Sequence, residues 1–209
     1  MDTDMTLQVT HLGCIRQQKI LFANLSFNLQ AGAALLIEGP NGSGKSSLLK
    51  ILAGLSTPEK GNVFWNKQDI SNRSQHYWSH LHYVGHTNGI RHALTVVENL
   101  QLMSHLNAMT LPAYDDVLAQ LQLLNYQHTQ ACHLSAGQKR KLALAKLFLF
   151  PKKIWILDEP LTALDAASQE LFLQQCEQHI LNGGMCIISS HHPLTFTSTA
   201  SQTLRLTSC

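Results

Sequence analysis

The chain has 209 residues, 44% of them hydrophobic, and a formal net charge of +2 from 15 basic and 13 acidic side chains. That length fits one domain, or one domain with a subdomain, and the apolar fraction is enough for a packed core. The near-balanced charge gives no case for nucleic acid or an acidic partner, and no apolar run nears the roughly 18–20 residues that span a bilayer. The acidic start Met1-Asp2-Thr3-Asp4 reads as lacking an export leader. Five cysteines without a C-x-x-C predict reduced cytoplasmic thiols, with Cys14, Cys132, Cys176 and Cys186 buried as small apolar residues and Cys209 exposed.

Residues 7–12 and 24–29 read as strands. In the second, Leu25, Phe27 and Leu29 alternate with Asn24, Ser26 and Asn28, as a half-buried strand requires. Ala31-Gly32 turns into an apolar run, residues 33–37, that reads as a buried strand, and a helix is predicted over 45–52. Gly54 and Pro58-Glu59-Lys60-Gly61 mark a loop before a short strand at 62–65. Residues 71–92 are polar and rich in histidine and aromatics, with a strand edge at 82–85. Thr95 and Glu98 form a capping box for a helix carrying Val96, Val97, Leu100 and Met103. Pro112 is expected to start another helix with Val117, Leu118, Leu121 and Leu124, and a basic, Ala/Leu-rich helix follows over 139–150. Strand 154–157, helix 166–180, strand 185–188 and a last short strand in 201–207 complete the chain. Helices alternating with buried strands predict an α/β fold with a largely parallel sheet, preceded by an antiparallel β region. Residues 88–150 read as an inserted helical subdomain.

Three stretches carry chemistry. Gly39-Pro40-Asn41-Gly42-Ser43-Gly44-Lys45-Ser46 fits G-x-x-x-x-G-K-[ST], between a strand and a helix, with Ser47 continuing the first turn. Glycines let consecutive N–H groups face one anion, and the helix N-terminus adds its own free donors. Lys45 is expected to reach the β- and γ-phosphates of ATP, and Ser46 to offer its hydroxyl to Mg²⁺. Four apolar residues then lead into Asp158-Glu159. Asp158 can hold the same Mg²⁺, and Glu159 can orient or deprotonate an attacking water. Two solvated acids at a strand end are the plainer reading, which the upstream phosphate loop disfavours.

Leu134-Ser135-Ala136-Gly137-Gln138 resembles the signature L-S-G-G-Q of ATP-binding-cassette ATPases, with Ala136 a mild departure. The order of phosphate loop, signature, apolar-Asp-Glu and His191 matches that family across nearly the whole chain. The resemblance implies a P-loop ATPase core in which Ser135, Gly137 and Gln138 contact the γ-phosphate held by a second subunit. It also implies that Asp165 lies in the loop joining the two subunits, and that His191 contacts the γ-phosphate, with His192 its rival in register. Where the family has a glutamine touching Mg²⁺ and water, this chain has His86. Where the family stacks an aromatic on adenine stands Arg16, which either stacks its guanidinium or is a solvated loop residue.

Tyr83-Val84-Gly85-His86, Gly89-Ile90-Arg91, residues 94–100, residues 134–145 and His191-His192-Pro193-Leu194 together resemble one subfamily. Its members are the ATP-binding subunits of bacterial heme exporters in cytochrome c maturation. That resemblance implies a head-to-tail homodimer sandwiching two Mg-ATP. It further implies an integral membrane permease, other cytochrome c maturation proteins, and a peripheral place on the cytoplasmic face of the inner membrane. Export of a lipid or peptide is one rival. A soluble cassette protein on ribosomes or DNA is another, but the chain has no second cassette and no long heptad run. A binding module with little turnover is a third, opposed by Glu159 and His191. His76, His80, His82, His86 and His92 read as a polar loop facing the permease rather than as heme ligands.

Overall fold

The computed structural model describes residues 5–72, 74–191, 194, 196 and 200–207. Strands β1 (Thr6–Arg16) and β2 (Lys19–Gln30) form an antiparallel hairpin. Gln17 and Gln18 close it at φ 49° and 62°, the left-handed pair that a two-residue hairpin turn demands. In β2, Leu25, Phe27 and Leu29 turn inward while Asn24, Ser26 and Asn28 face solvent, the expected alternation, which is interrupted at Asn24 (φ 54°) before the buried Phe22. β3 (Ala33–Glu38) leaves this hairpin for a second sheet, and α1 (Lys45–Leu52) follows it. The chain then returns to β1 with β4 (Lys60–Trp65) and β5 (Gln68–Asp69), giving an antiparallel sheet in the order β2-β1-β4-β5. The antiparallel region therefore draws on two stretches of chain, one on each side of the phosphate loop.

The rest of the described chain gives α2 (Ser74–Ser79), β6 (Leu81–Val84), α3 (Val96–Leu106), α4 (Asp115–Gln120), α5 (Ala136–Leu149), β7 (Ile154–Asp158), α6 (Ala166–Leu181), β8 (Met185–Ser190) and β9 (Ala200–Arg205). Strands β6-β7-β8-β3-β9 lie side by side, all parallel. Both faces of β3, β7 and β8 are covered, which is why these three read as apolar runs instead of alternating, whereas the edge strand β9 is largely exposed. Leu35, Ile37, Ile156 and Ile187 point to α1 and the antiparallel sheet. Ala34, Leu36, Leu157 and Ile188 point to α5 and α6. α1 is wedged between the two sheets, with Leu48, Leu49, Ile51 and Leu52 all buried. A third apolar cluster joins Val96 and Leu100 of α3, Leu118 of α4 and Leu142, Ala143 and Leu149 of α5.

Four expectations are corrected. The helix predicted from Pro112 begins at Asp115, where Asp115 and Asp116 favour the positive end of the helix dipole. It stops before Leu124 because Gln122 adopts a left-handed φ of 58°. α5 begins three residues early, since Ser135 is its N-cap and Gln138 completes a capping box. Residues 71–92 are not one polar loop: α2 docks there, with the Tyr77 hydroxyl donating to Leu52 O (2.8 Å) and the Trp78 indole to Ala53 O (2.9 Å). Those bonds satisfy carbonyls at the end of α1. Cys132 is exposed, whereas Cys14, Cys176 and Cys186 are buried. Cys209 and His192 lie outside the described residues.

Candidate functional site

Parallel strands place the turns that follow them at one edge of the sheet, and the chemistry gathers there. The phosphate loop leaves β3 at Glu38. Gly39, Gly42 and Gly44 have φ of 154°, 79° and 99°, so the loop bends where only glycine is unstrained. At Gly39 a Cβ would also collide with Leu206 O, and at Gly44 it would lie 3.0 Å from Leu21. The loop is thus clamped between the C-terminal strand and β2. Lys45 is buried and donates to Gly39 O (2.7 Å) and Pro40 O (3.1 Å), folding its ammonium across the loop mouth. Pro40, Asn41 and Gly42 are exposed, Ser46 and Ser47 half-buried. Ser43 Oγ is buried without a hydrogen-bond partner among the described residues.

The register of the sheet sets the second half. Ile37, Ser189 and Asp158 are paired across β3, β8 and β7. Ser189 Oγ donates to Asp158 Oδ1 (2.7 Å) and accepts from the Glu159 N–H (3.0 Å). Asp158 is 1% exposed, and its Oδ2 has no protein partner among the described residues. An unpaired buried carboxylate oxygen is costly, and it is the kind of hard donor a divalent cation takes. Glu159 turns back at φ 48°, a left-handed conformation uncommon outside glycine. Its Oε1 stands 2.6 Å from His191 Nε2. His191 also lines a cleft of about 430 Å³ with Gly39, Pro40, Arg205 and Leu206. One histidine therefore borders both the phosphate loop and Glu159.

The remaining residues sit apart from this group. Ser135 is exposed at the start of α5, accepting from the Gln138 N–H (3.2 Å), while Gln138 Oε1 accepts from the Ser135 N–H (2.8 Å). Gly137 backs onto the loop before α6: a Cβ there would lie 2.7 Å from Ala163 O. Asp165 caps α6, and its carboxyl is lowered to about 2 by the Ser168 N–H and hydroxyl, with help from Lys141 at 3.1 Å. Arg16 is exposed on the β1–β2 hairpin and donates to Ser56 Oγ (2.5 Å). β2 crosses Gly44, so this hairpin flanks the phosphate loop. His86 is exposed two residues beyond β6.

The other histidines disperse. His82 is buried in β6 with Nε2 2.8 Å from Phe150 O, and burial lowers its pKa to about 3. His76 and His80 are ring neighbours, 4.8 Å apart. Among the described residues no three His, Cys, Asp or Glu side chains are placed to hold a metal ion.

Two site residues went unpredicted. Ser189 is the polar residue that interrupts an apolar strand two positions before His191, and that interruption was the available signal. Arg140 is a lone arginine, 4% exposed, in an Ala/Leu-rich helix. A guanidinium placed among apolar neighbours at helical spacing signals a buried polar partner.

A profile of the ABC transporter family matches residues 22–162. The chain is 41% identical over 194 residues to the cytochrome c biogenesis ATP-binding export protein CcmA of Methylococcus capsulatus, covering 92% of this chain and 94% of that one. It is 42% identical over 199 residues to the protein of the same description from Shewanella oneidensis, covering 93% and 90%. Among solved structures, a putative ABC transporter ATP-binding protein of Pyrococcus furiosus superposes with TM-score 0.81 at 23% identity over 95% of this chain and 97% of that one. An ATP-binding cassette solved as a dimer in a post-hydrolysis state with ADP and phosphate gives 0.77 at 20% over 89% and 88%. These two likenesses establish the fold alone.

Proposed function

The chain belongs to the ABC transporter family and, within it, to the cytochrome c biogenesis ATP-binding export proteins, and we propose that it drives a heme exporter in c-type cytochrome maturation. As an ABC-type ATPase it binds ATP and hydrolyses it to ADP and phosphate. The observation that carries our reading of the site is the convergence of Asp158, Ser189, Glu159 and His191 at the ends of β7 and β8, beside the phosphate loop of β3.

In this reading the loop N–H groups of residues 39–47 and the Lys45 ammonium hold the phosphates. The bonds from Lys45 to Gly39 and Pro40 carbonyls exchange for bonds to phosphate oxygens, which are stronger because both partners are charged. The Asp158 Oδ2 and the Ser46 hydroxyl fit Mg²⁺, which would neutralise phosphate charge there. Glu159 takes the proton of the attacking water. His191, within hydrogen-bond reach of Glu159 Oε1, orients that carboxylate and reads the γ-phosphate. Ser135, exposed, and Gly137, half-buried, at the start of α5 serve the site of a second copy. ATP then favours the closed dimer by its higher affinity for that state, and hydrolysis releases it.

Among the described residues no helix is long and apolar enough to cross a membrane. The transport step on this reading belongs to a separate membrane permease, with the ATPase bound peripherally on the cytoplasmic side. Removing the gene should abolish covalent heme attachment to c-type cytochromes, measured by heme staining of denatured proteins. The parent gene restores it and a Glu159→Gln gene does not. Normal c-type cytochromes in the deletion strain would redirect the reading to another exported substrate.

A further inference from the structure

Arg140 carries a buried charge whose five hydrogen-bond partners are all neutral oxygens. Its guanidinium donates to the main-chain oxygens of Asp158 (2.8 Å), Glu159 (2.9 Å), Pro160 (3.1 Å) and Gly85 (2.9 Å), and to Asn88 Oδ1 (3.2 Å). Those five bonds occupy the donor groups of an arginine and offset the cost of removing its charge from water. Burial lowers its pKa while Asp158 and Glu159 oppose the shift, and the group stays protonated.

The geometry ties three things together. Three consecutive carbonyls, 158 to 160, converge on one guanidinium while the chain between them bends at Glu159 to φ 48°. Ser189 holds the N–H of Glu159 and Arg140 holds its C=O, so the residue is fixed at both ends and its carboxylate is aimed at His191. Gly85 and Asn88 flank His86, so the same guanidinium anchors that loop. Arg140 itself sits in α5, whose first turn carries Ser135 and Gly137. A second cation of α5, Lys146, donates to Tyr83 O (2.6 Å) and seats the helix against β6.

We propose that Arg140 is a positioning residue for hydrolysis, holding Glu159 in its bent conformation only while α5 is seated. It touches neither phosphate nor water and acts through Glu159. The inference rests on Glu159 being the base. When Ser135 and Gly137 engage the nucleotide of the second copy, α5 seats, and Glu159 in its own chain is aimed. When α5 shifts, the three carbonyls lose their common donor and the carboxylate leaves His191.

The test compares the full chain carrying Arg140→Gln, Arg140→Lys, Glu159→Gln, and Arg140→Gln with Glu159→Gln. ATP affinity is read with a fluorescent ATP analogue and turnover by phosphate release. Arg140→Gln should leave the Kd within about threefold and lower kcat at least ~30-fold, the pattern of a contact that matters only for the transition state. Arg140→Lys should recover part of kcat, since an ammonium satisfies some of the carbonyls. The double variant should turn over no slower than Glu159→Gln alone, because both changes remove one function. Parent-like kcat in Arg140→Gln, a Kd that worsens in step with kcat, or multiplying losses in the double variant would overturn the inference. If thermal unfolding shows Arg140→Gln unfolded, Arg140→Lys decides by the same two numbers: lowered kcat at unchanged Kd supports it, and parent-like kcat sinks it. Parent-like turnover in Glu159→Gln sinks the base assignment, and this inference with it.

Discussion

Lys45 turns two of its three donors onto its own loop, at Gly39 O and Pro40 O, which holds its ammonium at the loop mouth. Replacing it by alanine removes charge-assisted bonds worth about 1.5–3 kcal/mol each. ATP affinity should fall by roughly 10- to 100-fold in Lys45→Ala, read by titration with a fluorescent ATP analogue. Two histidines set a different property. Burial is the main cause that holds His82 at about 3 and His179 at about 4, below the ordinary value near 6.5. Both are neutral in the folded chain, whereas the unfolded chain protonates them below about 6.5. The unfolded state then binds more protons, so stability falls as pH drops from 6.5 towards 4, by up to about 1.4 kcal/mol per pH unit for each histidine. Denaturant midpoints measured from pH 7 down to pH 4.5 should decline steadily. A flat profile would show that the two histidines titrate normally.

Single elements show where the residues could be read and where they could not. The first capping box was legible because it is local: Thr95 Oγ1 accepts from the Glu98 N–H at 3.2 Å and Glu98 Oε2 accepts from the Thr95 N–H at 2.7 Å, as their spacing required. Thr95→Ala should cost about 1 kcal/mol, lowering Tm by roughly 2–4 °C for a chain of this size, with ATP turnover retained. Calorimetry beside a turnover assay checks both. β3, β7 and β8 were legible as unbroken apolar runs with chemistry at their C-terminal ends. α2 was hidden because its reason is distant in sequence: Tyr77 and Trp78 satisfy carbonyls of residues 52 and 53. Arg140 and Ser189 were hidden likewise. Their partners lie 18 to 55 and 30 to 31 positions away, brought together for Arg140 by the packing of α5 on the sheet and for Ser189 by the sheet register.

At the scale of the molecule, two sheets hold α1 between them and present one edge of the parallel sheet for chemistry. The phosphate loop, Asp158, Glu159 and His191 meet at that edge. The turn at Ser135 lies on a different element, α5, which is joined to Asp158 and Glu159 through Arg140 and to the loop before α6 through Lys141 and Asp165. Such an arrangement makes half a site per copy on our reading, and it accounts for the two buried cations of α5, Arg140 and Lys141. Within the histidine-rich segment, His82 supports β6 through Phe150 O, and His76 packs on His80.

The central claim is that hydrolysis runs through Glu159 at a site completed by a second copy. The most direct measurement is phosphate release by the full chain with Mg-ATP, comparing the parent with Glu159→Gln while following assembly by size-exclusion chromatography with light scattering. The account predicts that Glu159→Gln loses at least ~100-fold in kcat, within the range for removing a general base, and accumulates as an ATP-dependent dimer that the parent forms only transiently. Turnover at the parent rate, or a variant that stays monomeric in saturating ATP, would contradict it.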